Sequence, residues 1–161
     1  HRDRFNVVMG IEKDLKGSAY NYNQSRIAFS SGGVFGEGFL KGTQTRGKFV
    51  PEQHTDYIFS TVGEEWGFLG SSFIIFLYSF LMLRISQRAD LQRNIFSKIY
   101  SYSTVTLIFS HFFINIGMVI GLVPTIGIPL PFLSYGGSSL VAFCLLFSIY
   151  IKLDSERTSK W

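Results

Sequence analysis

Charge is missing from two long stretches of this chain. No Asp, Glu, Lys or Arg occurs between Trp66 and Leu83, and none occurs from Ile99 to Ile151. A soluble domain needs charged surface positions far more often than that, so an ordinary water-soluble fold is excluded for this part. Cysteine is almost absent too. The lone Cys144 rules out a disulfide framework and reads most simply as a small apolar packing residue. Proline is scarce and clustered: of four in the chain, Pro124, Pro129 and Pro131 fall within eight residues. No apolar core of the kind a secretory leader needs follows His1-Arg2-Asp3-Arg4, and the expectation is that the chain is the C-terminal portion of a larger membrane protein.

What is present follows the same division. Residues 1 to 65 carry 8 Lys/Arg and 8 Asp/Glu, whereas the rest is rich in Ile, Leu and Phe. A bilayer core of about 30 Å needs about 20 apolar helical residues to cross it. The first apolar run meets that length if its helix starts near Tyr57, with Glu64, Glu65 and Trp66 at the interface. The second is long enough for two crossings, broken where Pro124, Gly127, Pro129 and Pro131 interrupt it. The expected fold is therefore an all-α polytopic membrane protein: helices over 57–84, 99–122 and 137–153, preceded by a large extracellular loop region over 1–56 with short helices and followed by a cytoplasmic tail over 154–161.

Basic residues set the orientation. Arg84, Arg88, Arg93 and Lys98 are expected in the first interhelical loop, and Lys152, Arg157 and Lys160 follow the last helix, while Val123 to Gly136 has none. The N-terminal third then faces outward. The net charge of +4 reads as topology and not as nucleic-acid binding, because no basic and aromatic stripe shares one soluble face.

The polar cluster Glu52, Gln53, His54, Thr55, Asp56 stands directly before the apolar Tyr57, Ile58 and Phe59, where water meets hydrocarbon. Pro51 suits a first helical position, which would set Glu52 and Asp56 four apart on one helix face. Asp56 also suits the N-cap of the helix that follows. Both readings stand, and the crowding of polar groups favours chemistry over a cap that needs one oxygen. His54 reads as satisfying a neighbouring carboxylate. His111 and Asn115, four apart in the second span, share a face and are expected to make interhelical hydrogen bonds. The stretch Gln24 to Phe29 reads as an interfacial helix, and Ser31 to Gly42 as a glycine-punctuated loop. That loop matches no phosphate-binding fingerprint, so a flexible connector is the plainer reading. The segment 123–139, apolar but proline-broken, is expected to dip into the outer leaflet, with Ser134, Tyr135, Gly136 and Gly137 bordering a cavity. The helix after it is expected to be short, spanning only about 24 Å.

The segments QSRIAFSSGG with GEG and GTQ at 24–44, PEQHTDYIFS with GEEWGFLG at 51–70, and NIGMVIGL with PTIGIPLPFLSYGGSS at 115–139 together resemble the SEDS family of bacterial membrane proteins. The family takes its name from shape, elongation, division and sporulation, and the wording resembles its elongation branch, RodA, more than its division branch, FtsW. The resemblance implies about ten transmembrane helices in the whole protein, of which this chain would hold the last three. It implies a peptidoglycan glycosyltransferase of the cytoplasmic membrane that polymerises lipid II on the outer face with a class B penicillin-binding protein. It implies Asp56 as the catalytic base, with Gln44, Glu52, Gln53, His54, Ser134, Tyr135 and Gly136 as substrate-contacting candidates. No protein metal site is implied; a divalent cation, Mg or Mn, could accompany the substrate pyrophosphate. An isolated fragment of this extent is expected to be inactive. The rival readings are a lipid II transporter and a noncatalytic scaffold.

Overall fold

The computed structural model describes residues 18–38, 41–42, 55–124 and 126–158. Four helices account for the regular structure among them: α1 (Ser18–Ser31), α2 (Ile58–Asp90), α3 (Ile95–Ile120) and α4 (Gly137–Thr158). Three of these, α2, α3 and the Gly137–Glu156 part of α4, are long and apolar enough to cross a membrane. The expected all-α membrane architecture is what the chain forms.

α2 and α3 run along each other as a hairpin joined by 91–94, α1 packs across both, and α4 leans on α3. Two apolar clusters hold this arrangement. One gathers Ala28 of α1, Tyr57 and Phe59 at the head of α2, and Ile116 and Val119 of α3. The Phe29 ring stacks on Phe59 at 5.7 Å between centroids, a separation favourable for aromatic pairs. The other gathers Tyr78, Ile85, Ile108, Leu130 and Tyr150, so it joins all three spanning helices to the proline-broken segment. Outside these clusters the helices are bare: only 11% of the apolar window of α4 is buried. Leaving such side chains in water would forfeit roughly 1.5–3 kcal/mol each, a cost that hydrocarbon removes.

The polar ends of the helices run further than the apolar pattern. α2 continues to Asp90 and not to residue 84, and α3 begins at Ile95 and not at 99. Arg84 and Arg88 are consequently helical, and only 91–94 form the loop, with Lys98 already in α3. α4 is also longer than expected, at 22 residues or about 33 Å. The cause lies in polar contacts at one end of the bundle. Asp154 accepts from Arg88 Nη1 at 3.2 Å and from Gln92 Nε2 at 3.0 Å, and Lys152 pairs with Glu156 one turn on. Cys144 corrects another expectation: it is exposed on the outer face of α4 and does not pack inside.

A straight α2 of 33 residues would span about 50 Å, well beyond one bilayer crossing. It is in fact broken at Gly67, whose φ of 66° and ψ of −160° lie outside the helical region. The stretch 68–90 alone still spans about 35 Å. The break frees the carbonyls of Glu64 and Glu65 and the amides of Phe68 and Leu69, which would otherwise pair with one another. Residues 33–38 take up all four. Glu37 N donates to Glu64 O at 2.9 Å and Gly38 N to Glu65 O at 3.1 Å; Phe68 N donates to Gly33 O at 2.9 Å and Leu69 N to Val34 O at 3.2 Å. The glycine-rich segment is thus spliced into a membrane helix, which corrects the reading of it as a loose connector.

Candidate functional site

Asp56 lies in a turn with Thr55, immediately before α2. The N-cap position belongs to Tyr57, which makes no side-chain cap hydrogen bond. Its carbonyl instead receives the Ser60 amide at 2.9 Å and the Ser60 hydroxyl at 2.7 Å. The capping reading of Asp56 is therefore corrected: Asp56 sits one residue too early. Residues 51–54, on which the expected pairing of Glu52 with Asp56 on one helix face depends, lie outside the described residues.

The Asp56 turn is pinned from the α3 side. Asn115, fully buried, donates through Nδ2 to the backbone carbonyl of Asp56 at 2.9 Å and to that of Ile128 at 2.8 Å. Two carbonyl acceptors fix which end of the amide is nitrogen. Asn115 Oδ1 is buried and accepts no hydrogen bond among the described residues. One turn earlier on the same face, the His111 ring nitrogen Nδ1 meets the Pro129 carbonyl at 3.2 Å. The two polar residues of the second span therefore share a face as expected, but they bond to backbone of the Asp56 turn and of the proline-broken segment, not to another helix's side chains.

That segment reaches back toward Asp56. α3 is capped by Gly121, whose amide donates to Gly117 O at 2.9 Å, and the chain then runs without regular secondary structure through 126–130. Gly127 has φ 76°, and a Cβ built on it would stand 3.0 Å from Asp56 Oδ2. The carboxylate packs closely against the side of Gly127 where a side chain would begin. Tyr78, in the middle of α2, donates its hydroxyl to Pro131 O. Leu130 N donates to Ser134 Oγ at 2.7 Å, closing the turn that leads to α4.

Ser134, Tyr135, Gly136 and Gly137 border a cavity of about 530 Å³ that Ile58, Phe132, Leu133 and Leu140 complete. The expectation that these four residues edge a cavity is met. Its lining is mainly apolar, with the buried Ser134 on one side and the exposed Tyr135 on the other. Ile58 places its edge two residues from Asp56. A carboxylate in a polar turn next to an apolar cavity, at the head of a membrane helix, suits a substrate with a polar head and a hydrocarbon tail.

Glu64 and Glu65 were expected at the interface, yet both are buried, and only Trp66 faces outward. A Cβ on Gly42 would meet the Glu64 carboxylate at 2.7 Å from Oε1, so the GTQ segment begins directly over that side chain. The signal available in the sequence was the trio Gly63, Gly67 and Gly70, three poor helix formers within one span. Gln44, Glu52, Gln53 and His54, together with Arg46 and Lys48, lie outside the described residues. Arg26 and Lys41, basic side chains that could meet a substrate pyrophosphate, are exposed. Among the described residues no group of three or more His, Cys, Asp or Glu is placed to hold a metal ion.

Comparison with known proteins agrees with this architecture. Residues 1–159 match the FtsW/RodA/SpoVE family, described as cell cycle proteins. The chain is 38% identical to peptidoglycan glycosyltransferase MrdB of Escherichia coli K12 over 156 residues, covering 97% of the chain and 42% of that protein. It is 39% identical to peptidoglycan glycosyltransferase RodA of Treponema pallidum, covering 91% of the chain and 35% of the relative. It is 40% identical to a probable peptidoglycan glycosyltransferase FtsW of Geobacter metallireducens, covering 99% and 42%. The chain thus spans well under half the length of these relatives. Among solved structures, a chain from a peptidoglycan synthase complex in which polymerization and crosslinking are coordinated has the same fold. It superposes with a TM-score of 0.78 at 24% identity over 97% of this chain and 42% of that one.

Proposed function

This chain belongs to the FtsW/RodA/SpoVE family of cell cycle proteins, and from that premise we propose that it forms the C-terminal part of a peptidoglycan glycosyltransferase with Asp56 as the general base. The observation that carries the reading is the position of Asp56. Its carboxylate sits against Gly127 at the head of a membrane helix, two residues before Ile58, which lines an apolar cavity. The names of the relatives supply the reaction class.

The substrate proposed is lipid II, a disaccharide-peptide on a polyprenyl pyrophosphate. Asp56 accepts the proton of the acceptor sugar's 4-hydroxyl as that oxygen attacks C1 of the donor. The new O4–C1 bond forms, the bond from C1 to the phosphate oxygen breaks, and undecaprenyl pyrophosphate leaves with the electron pair. One displacement inverts an α-linked donor to a β-1,4 glycan, so a single base suffices. A positioned base contributes about 10² to 10⁴ in rate. Holding two lipid-anchored substrates in line must supply much of the rest. A divalent cation, where used, would be held mainly by the pyrophosphate oxygens.

The setting proposed is the bacterial cytoplasmic membrane, with Asp56 on the outer side and a class B penicillin-binding protein as partner. The coordination of polymerization with crosslinking in the structurally similar complex supports a partner of that kind. The transporter reading draws less support. It needs His111 and Asn115 to line a path, whereas Asn115 is fully buried and both are bonded to loop carbonyls. Detergent micelles separate the two, because they offer no membrane to cross. Conversion of lipid II to glycan strands by the complete, solubilised protein with its partner supports the polymerase, and unaltered lipid II opposes it.

A further inference from the structure

Resting on the reading of Asp56 as the base, we infer that Asn115 and Gly127 form a two-part clamp that sets where the Asp56 carboxylate stands: Asn115 fixes its backbone and Gly127 leaves room beside its oxygen. Asn115 is a positioning residue here, since it contacts Asp56 and not the reacting atoms.

Three observations meet at this point. First, both hydrogens of the Asn115 amide are committed, one to the Asp56 carbonyl at 2.9 Å and one to the Ile128 carbonyl at 2.8 Å. Only a side chain with two donors on one nitrogen can tie those strands together in that manner; Asp, Ser and Leu cannot. Second, Gly127, next to Ile128, holds φ 76°, a conformation that disfavours a side chain, and its missing Cβ would stand 3.0 Å from Asp56 Oδ2. The same short segment therefore accepts the bond that fixes the turn and packs closely against the carboxylate. Third, the amide oxygen of Asn115 is buried and accepts no hydrogen bond among the described residues, so the hydrogen bonding of this side chain to them runs through the one nitrogen that ties the two carbonyls.

The clamp joins elements far apart in sequence. The turn at 55–57, the interior of α3 and the segment after it are tied together here, and His111 adds a second tie one turn away at Pro129. Misplacing a reacting group by about 1 Å can cost about 100-fold in rate, so loss of the clamp should fall on turnover and spare binding.

The test uses the complete protein with its partner and lipid II, comparing wild type, Asn115→Ala and Gly127→Ala. Both variants are expected to lose about 100-fold in kcat with KM within about twofold of wild type. Hydrogen–deuterium exchange supplies a readout independent of catalysis: Asn115→Ala should speed exchange in 55–60 and 126–130 while 70–85 stays as in wild type. Gly127→Ala leaves the Asn115 side chain intact, so it reports on the space beside the carboxylate even where Asn115→Ala folds poorly. Unchanged kcat in a folded Gly127→Ala protein, or unchanged exchange around residues 55–60 in Asn115→Ala, overturns the clamp. If instead Asp56→Asn retains full activity while Asn115→Ala still speeds exchange at both segments, the base assignment fails and the structural tie stands.

Discussion

Gly67 and Gly36 approach each other backbone to backbone: a Cβ on Gly67 would stand 2.4 Å from the Gly36 nitrogen, and one on Gly36 would stand 2.2 Å from the Glu65 carbonyl oxygen. Neither position admits a side chain without parting the loop from the helix break. Gly67→Ala adds the strain of a left-handed φ, about 1–2 kcal/mol, to the loss of hydrogen bonds worth about 1 kcal/mol each. The expected result is a destabilisation of at least about 2 kcal/mol in unfolding of the solubilised protein. Ser72→Ala, on the half-buried side of the same helix, should stay within about 0.5 kcal/mol.

Ser134→Ala removes the acceptor of the Leu130 amide, and both residues are buried. An orphaned buried donor costs about 1–3 kcal/mol. The Leu130 amide should exchange faster in this variant, and the turn bordering the cavity should loosen with it. An unchanged Leu130 exchange rate would show that the amide finds another acceptor.

The Arg88–Asp154 pair ties the far ends of α2 and α4 with side chains that are 35% and 19% exposed. Solvent screening limits a pair of this kind to about 0.2–1 kcal/mol. Asp154→Asn should therefore lower stability by no more than about 1 kcal/mol, and the difference should shrink as salt is raised.

Cys144 projects from the bare face of α4. In intact membranes a charged maleimide should leave it unmodified, and denaturation in dodecyl sulfate should expose it. Rapid modification before denaturation would place that face in water.

The helices were legible wherever apolar side chains run without charge, and their ends were not. Arg84, Arg88 and Asp154 read as loop or tail because charge ends a membrane pattern, yet a helix continues for as long as its backbone is satisfied and its side chains find partners such as Gln92. The proline-broken segment and the residues bordering the cavity were visible because proline and glycine act locally. The break at Gly67 was not, because what makes it tolerable is a set of hydrogen bonds from residues 33–38, some thirty positions away. The same holds at the candidate site. The residues marked the cluster from Glu52 to Asp56 and the family resemblance singled out Asp56 within it, whereas its relation to Gly127 and Asn115 depends on a tertiary approach that no spacing encodes. Asn115 was assigned the right kind of role with the wrong partners, since a polar residue in a span can bond to backbone as readily as to another helix.

Polymerisation of lipid II by the complete protein with the class B penicillin-binding protein proposed as its partner, wild type against Asp56→Asn at matched folding and complex formation, tests the central claim most directly. The account predicts a loss of about 10² to 10⁴ in glycan synthesis with the complex intact. Undiminished synthesis by Asp56→Asn would contradict it and remove Asp56 from the chemistry.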